Sequence, residues 1–149
     1  MLIKKLLIVL LLIPVAAYCQ KDIDNFRNYK WDTPFAQMSE GMTPTKSSTP
    51  GFKGYEKAND NLMYEGIQAA SIIYLFKNGL FTGVTIAIFK KDVPKALANL
   101  KAKYGEPKTT QTPFLNNYEW YLEKSVIVLS EFPTNTSEPA ASIGIRKPR

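Results

Sequence analysis

Glu56, Glu65, Glu119 and Glu123 are the side chains in this sequence that could carry acid–base chemistry. Two carboxylates flanking a glycosidic bond are enough to hydrolyse it, one as acid and one as base or nucleophile. That route matters because the 149-residue chain contains no histidine. Ser-His-Asp and Cys-His machinery both need an imidazole base and are excluded. Zinc loses its preferred imidazole ligand, and only one cysteine is present. No GxGxxG, Walker-type phosphate loop or DxDxDG calcium loop occurs. None of the four glutamates stands in a recognisable motif. Glu119 and Glu123, on a strand pattern, read as exposed partners for lysines. A carboxylate-based glycan-acting enzyme is therefore an alternative only. The leading expectation is a non-enzymatic chain with no catalytic, cofactor-binding or metal-binding residues.

The single cysteine lies in Val15-Ala-Ala-Tyr-Cys-Gln-Lys-Asp22. Ahead of it, Lys4 and Lys5 precede a purely aliphatic run from Leu6 to Ile13, and the apolar stretch reaches Ala17. A bilayer span takes about 20 apolar residues, so this run is short. A basic start, a short apolar core and small residues before a cut describe a secretory signal peptide over residues 1–19. Cleavage between Cys19 and Gln20 puts Ala17 and Cys19 at the two small-residue positions and leaves Gln20 free to cyclise. Signal peptides with Gln after the cut resemble those of secreted Bacteroidetes proteins. Lipidation of Cys19 is the alternative, and the bulky Tyr18 before it argues against that. The mature protein is then periplasmic or secreted, without a cysteine and without a stable membrane span.

Residues 20–149 suffice for one domain with a real core. Without Lys4 and Lys5 the chain keeps 17 basic against 13 acidic residues, a net charge of +4. The basic residues are dispersed, so a nucleic-acid partner is not expected. The balance suits an anionic envelope polymer or an acidic protein. Aromatic side chains anchor interfaces, and Phe52, Tyr55, Phe81, Tyr118 and Tyr121 on strands and loops are the candidate binding residues.

The elements that must position them follow from pattern. A short strand ends near Trp31. Thr33 as N-cap and Pro34 at the first helical position predict a short helix from Pro34 to about Glu40. Residues 43–61, rich in Thr, Ser, Pro, Gly and Lys, read as a long loop or a loosely attached edge segment. Asn78-Gly79 joins two β-rich runs as a hairpin. With that turn Phe76 faces Phe81, and Ile73 faces Val84. Leu75, Ile73, Val84, Ile86 and Ile88 should then face the helices, with the aromatic set on the other side. An exposed aromatic face would be a binding surface.

Asp92, Pro94 and Gly105-Glu106-Pro107 bound a second helix. Val93, Leu97, Leu100 and Tyr104 form its apolar face, and Lys95, Asn99 and Lys103 its solvent face. A hairpin over 117–132 turns near Glu123-Lys124. Ala141, Ile143 and Ile145 alternate in a last strand. The expected fold is α+β: an antiparallel sheet of about four to six strands with two helices packed on one face.

Phe26-Arg27-Asn28-Tyr29-Lys30-Trp31-Asp32-Thr33-Pro34, then Phe76-Lys77-Asn78-Gly79-Leu80, Lys103-Tyr104-Gly105-Glu106-Pro107 and Trp120 stand in one order. In that order they resemble small exported bacterial domains of unassigned function. Those open Phe-Arg-Gly-x-x-Trp-Gly-Thr and continue with an Asn-Gly-type hairpin, a Lys-Tyr-Gly-x-Pro helix end and a Trp strand. Asn28 and Asp32 replace the two glycines. The layout also distantly resembles β-lactamase inhibitor protein domains and the small outer-membrane-assembly lipoproteins, which bind proteins. The resemblance implies a small exported interaction module of the envelope or extracellular space, with a protein or an envelope polymer as partner. An inhibitor or immunity protein, with the 43–61 loop inserted in an enzyme's cleft, is a second version of it.

Overall fold

The structure, a computed structural model, describes residues 22–46 and 49–148. The signal-peptide reading, with Cys19 and Gln20, lies outside the described residues. The strands are β1 (Asn25–Phe26), β2 (Tyr29–Lys30), β3 (Met42–Thr45), β4 (Lys53–Lys57), β5 (Met63–Tyr64), β6 (Ile67–Gln68), β7 (Ser71–Lys77), β8 (Leu80–Ile88), β9 (Lys108–Gln111), β10 (Asn116–Tyr121), β11 (Val126–Glu131) and β12 (Ala141–Arg146). The helix α1 spans Val93–Tyr104. Eight strands form one antiparallel sheet in the order β3-β4-β7-β8-β12-β11-β10-β9, and β1-β2 and β5-β6 are separate two-stranded ribbons.

The fold is therefore mostly β, not the α+β arrangement of a four-to-six-stranded sheet under two helices. Two differences account for the correction. The first concerns the helix expected from Pro34, which is a three-residue 3₁₀ turn, Phe35–Gln37. The Thr33 hydroxyl donates back to the Lys30 carbonyl at 2.8 Å and does not cap forward. The backbone of 32–35 bonds to the start of β8 instead: Asp32 N to Phe81 O, Phe81 N to Thr33 O and Phe35 N to Gly79 O. The second concerns strand count. Within 43–61, β3 and β4 pair as a hairpin and extend the sheet, with Pro44 on the edge strand, where a missing N–H is tolerated. The polar run Lys108–Gln111 adds the opposite edge as β9.

One sheet face carries the core. Ile72, Tyr74 and Phe76 of β7, Val84, Ile86 and Ile88 of β8, Ile143 and Ile145 of β12, Ile127 and Leu129 of β11 and Trp120 of β10 are all buried. Val93, Ala96, Leu100 and Tyr104 of α1 join the same cluster, as do Phe26 and Met38. Trp120 Nε1 donates to the carbonyl of Gly105, tying the helix end to β10.

The β7-β8 hairpin turns at Asn78-Gly79, both with positive φ, as a two-residue turn of this type requires. Phe76 faces Phe81 as expected, but the register then shifts by one, so Ile73 faces Thr85 and Ile72 faces Ile86. Thr82 is the extra, bulged residue, and the bulge reverses the faces assigned from an uninterrupted ladder. The aromatic set looks into the core together with Val84, Ile86 and Ile88. Leu75 and Ile73 are left on the opposite face.

Candidate functional site

A cavity of about 510 Å³ lies on the core side between three elements: residues 22–27, the β5-β6 ribbon and the last turn of α1. Ile23, Phe26, Met63 and Ile145 give it an apolar lining, and Asp22, Arg27, Asn61, Tyr64, Glu65, Lys103 and Tyr104 give it polar groups. Each polar group is held by a local cause. Glu65 and Gly66 have positive φ and form the tight turn of the β5-β6 ribbon. Three side chains of α1 grip that turn. Lys95 Nζ donates to Gly66 O at 2.7 Å, Asn99 Nδ2 to Glu65 O at 2.9 Å, and Lys103 Nζ to Glu65 Oε1 at 2.6 Å. The helix face expected to be solvated is thus the seat of a hairpin.

Arg27 occupies the β1-β2 turn with positive φ, an uncommon state for a side-chain-bearing residue. Its guanidinium donates to Asp60, to the carbonyl of Asn61 and to the Tyr74 hydroxyl. Tyr74 in turn donates to the second Asp60 oxygen at 3.0 Å. Asp22 accepts from Lys124 N at 2.8 Å and from Ser125 Oγ, which pins the chain to the β10-β11 turn.

The two cations around the cavity are therefore matched, Lys103 by Glu65 and Arg27 by Asp60, while the Asp22 carboxylate is held by a backbone N–H and a hydroxyl. Burial lowers the affinity of Lys103 for its proton, but the bonds and charges of Glu65 and Tyr104 outweigh it and raise its pKa. Burial raises the Tyr64 phenol, reinforced by Tyr104 and Glu65. It raises Tyr104 as well, against the opposing pull of Lys103. Both phenols stay protonated at physiological pH, so the cavity presents neutral hydroxyls, an amide and two satisfied ion pairs above apolar walls.

The five aromatic candidates are not gathered at one place. Phe81 is fully buried against Trp31, Tyr74 and Phe76, so it cannot serve as a contact residue. Tyr55 packs on Phe35 and Phe76 on the core side. Tyr118 is half-buried against the core from β10. Phe52 and Tyr121 belong to the other sheet face. Tyr121 is 60% exposed, and its hydroxyl bonds Glu119 Oε2 at 2.5 Å. That bond raises its pKa. Phe52 lines a cleft with Leu75, Thr85, Val128 and Gly144.

The four glutamates are likewise dispersed. Glu56 on β4 and Glu119 on β10 stand five strands apart, roughly 24 Å at about 4.8 Å per strand. Glu65 is held by Lys103, and Glu123 sits in the β10-β11 turn. Among the described residues no group of three acidic side chains could hold a metal ion, and no helix is long and apolar enough to cross a membrane.

Of the residues that line the cavity, sequence singled out Glu65 as a candidate acid but none as a binding residue. One signal was present: Asn99 and Lys103 lie one helical turn apart, with Lys95 on the same face, and Glu65-Gly66 is a turn that such a row could hold. Comparison of the chain with protein-family models, with curated proteins and with solved structures finds no match in any of the three.

Proposed function

We propose that the protein is a small exported binding module that holds a neutral, hydroxyl-rich ring, such as one sugar unit of an envelope polymer, without transforming it. The observation that carries this reading is the lining of the 510 Å³ cavity. Its cations are already paired, Lys103 with Glu65 and Arg27 with Asp60, so an anionic ligand would find no free counter-charge among the described residues. What they still offer are directional donors and acceptors beside Tyr64, Tyr104 and the apolar groups of Phe26, Met63 and Ile145. Ligand sites of a few hundred Å³ combine apolar walls with a few placed polar groups in this way.

Amide chemical-shift mapping with cellobiose and di-N-acetylchitobiose tests it. The expected shifts fall on residues 22–27, 61–65 and 103–104, and weaken at least tenfold in Asn61→Ala and Lys103→Gln. Absence of shifts at these positions with neutral sugars overturns the reading. Export is tested separately by the N-terminal mass of protein recovered from its own host. Cyclised Gln20 is the expected product, and acylated Cys19 would make it an anchored lipoprotein.

A protein partner is a second reading, favoured by the open sheet face. Ile73 and Val128 are only half-buried there and Tyr121 is exposed. Val128→Lys would abolish capture of such a partner while leaving the sugar shifts intact.

A further inference from the structure

The open face holds a second, electrostatically different cleft, about 340 Å³ in volume, between the connection 49–52 and the end of β12. It is independent of the cavity just described, which lies on the opposite side of the sheet. Pro50, Phe52 and Pro148 form its apolar walls, and Lys77, Arg146 and Lys147 its polar ones. Among its described lining residues there is no carboxylate. Lys77 is the last residue of β7 and Arg146 the last of β12, and β8 runs between them. Alternation along each strand points both side chains to the open face: Ile73, Leu75 and Lys77 on one, Ser142, Gly144 and Arg146 on the other.

Lys147 is neutralised by Asp32 at 2.5 Å. Among the described residues the Lys77 ammonium has the Phe52 ring as its partner, 5.7 Å from the centroid. The Arg146 side chain forms no hydrogen bond or ion pair with any described residue; it acts on Tyr121 through its charge and shares the adjoining cleft with Glu119. Two cations thus line one cleft with no carboxylate among its described lining residues, beside an aromatic ring and two prolines. This contrasts with the cavity on the other side of the sheet, where both cations are matched by carboxylates.

We infer that this cleft is an anion site, taking a phosphate-class oxyanion between Arg146 and Lys77 with the carrier of that group lying against Phe52. A guanidinium offers paired N–H donors matched to two oxygens of one oxyanion, and an ammonium adds a point charge. The Thr82 bulge sets the spacing, because it twists β8 just where its neighbours end. The source could be a soluble polyanion or an anionic lipid headgroup, and both present the same group.

Calorimetry with sodium tripolyphosphate, and co-sedimentation with phosphatidylglycerol vesicles, each at low and at half-molar salt, test it on the mature chain. Tripolyphosphate is expected to bind at low salt and to weaken steeply with salt. Lys77→Gln/Arg146→Gln should lose at least tenfold, and Phe52→Ala should lose less. Lys91→Gln/Lys124→Gln removes the same charge elsewhere and should keep wild-type binding. Arg146→Lys should recover only part of the loss. Binding of both probes, or of tripolyphosphate alone, assigns a soluble source. Binding of vesicles alone, with the same variant pattern, assigns a lipid source. Equal losses in the two double variants would show a net-charge effect and overturn the site, as would no binding of either probe. A retained amide spectrum in each variant confirms that folding is unchanged; the four cations are exposed and Phe52 is half-buried.

Discussion

Arg27 shows how one side chain can hold a backbone that its own type disfavours. It sits at positive φ in the β1-β2 turn, a state that persists only when the surroundings over-determine it. Here the surroundings are Asp60, whose side chain is 8% exposed, the Asn61 carbonyl and the Tyr74 hydroxyl. Arg27→Ala would leave Asp60 without its cation. The expected loss is about 1–3 kcal/mol, in line with leaving a buried polar group unsatisfied. Urea unfolding checks it, and a cycle with Tyr74→Phe should show the two effects to be coupled.

The buried phenols set an alkaline limit at the same scale. Tyr64, Tyr74 and Tyr104 all have raised pKa values, each chiefly through burial. A phenol whose folded pKa lies above its unfolded value contributes stability that is fully present below pH 10. That stability is lost as the pH rises, because the unfolded chain releases protons that the folded chain keeps. Stability should therefore be flat through neutral pH and fall above about 10, the ordinary phenol value. Phenolate absorbance should rise in two stages, the second coinciding with loss of structure. A single ordinary titration with the fold intact would contradict these burials.

At the level of elements, the β8 bulge is the feature with most consequence. Gly83 follows it, and a Cβ there would stand 2.6 Å from the Ile145 carbonyl oxygen on the neighbouring strand. Alanine in a strand ordinarily improves on glycine. At this position the clash is with backbone, which has little room to give, so Gly83→Ala should destabilise by about 1–3 kcal/mol. A stabilising result would show that the two strands are less close than described. The helix α1 makes a related point. Its lysines and Asn99 hold the β5-β6 turn, so a face that looks solvated from its composition carries a structural ribbon.

For the whole molecule, the decisive asymmetry is between the two sheet faces. Leu129 and Val128 are neighbours on β11, one fully buried and one half-exposed. Leu129→Ala should cost about 2–5 kcal/mol, as large core truncations do. Val128→Ala should cost less than about 1 kcal/mol, as surface truncations do. Equal losses would mean that the open face is covered in solution, most simply by a second copy of the chain, and sedimentation would then show it.

Much of this was legible in the residues. The Asn78-Gly79 turn, the helix from Val93 to Tyr104, the 117–132 hairpin and the alternation of Ala141, Ile143 and Ile145 are local signals, and local sterics and periodicity suffice to read them. The edge β9 was not legible, and β3 with β4 only as a loosely attached edge segment, because a polar strand such as Lys108–Gln111 is stabilised by its neighbour's hydrogen bonds and has no pattern of its own. The orientation of the β7-β8 hairpin was not legible either. A single inserted residue reverses which side chains meet the core, and only the pairing of β8 with both neighbours reveals where that residue lies. Both clefts share that dependence. Each is lined from segments far apart in the chain, Arg27 with Lys103 and Lys77 with Arg146. Their proximity is a product of sheet order, which long-range pairing decides and local sequence does not.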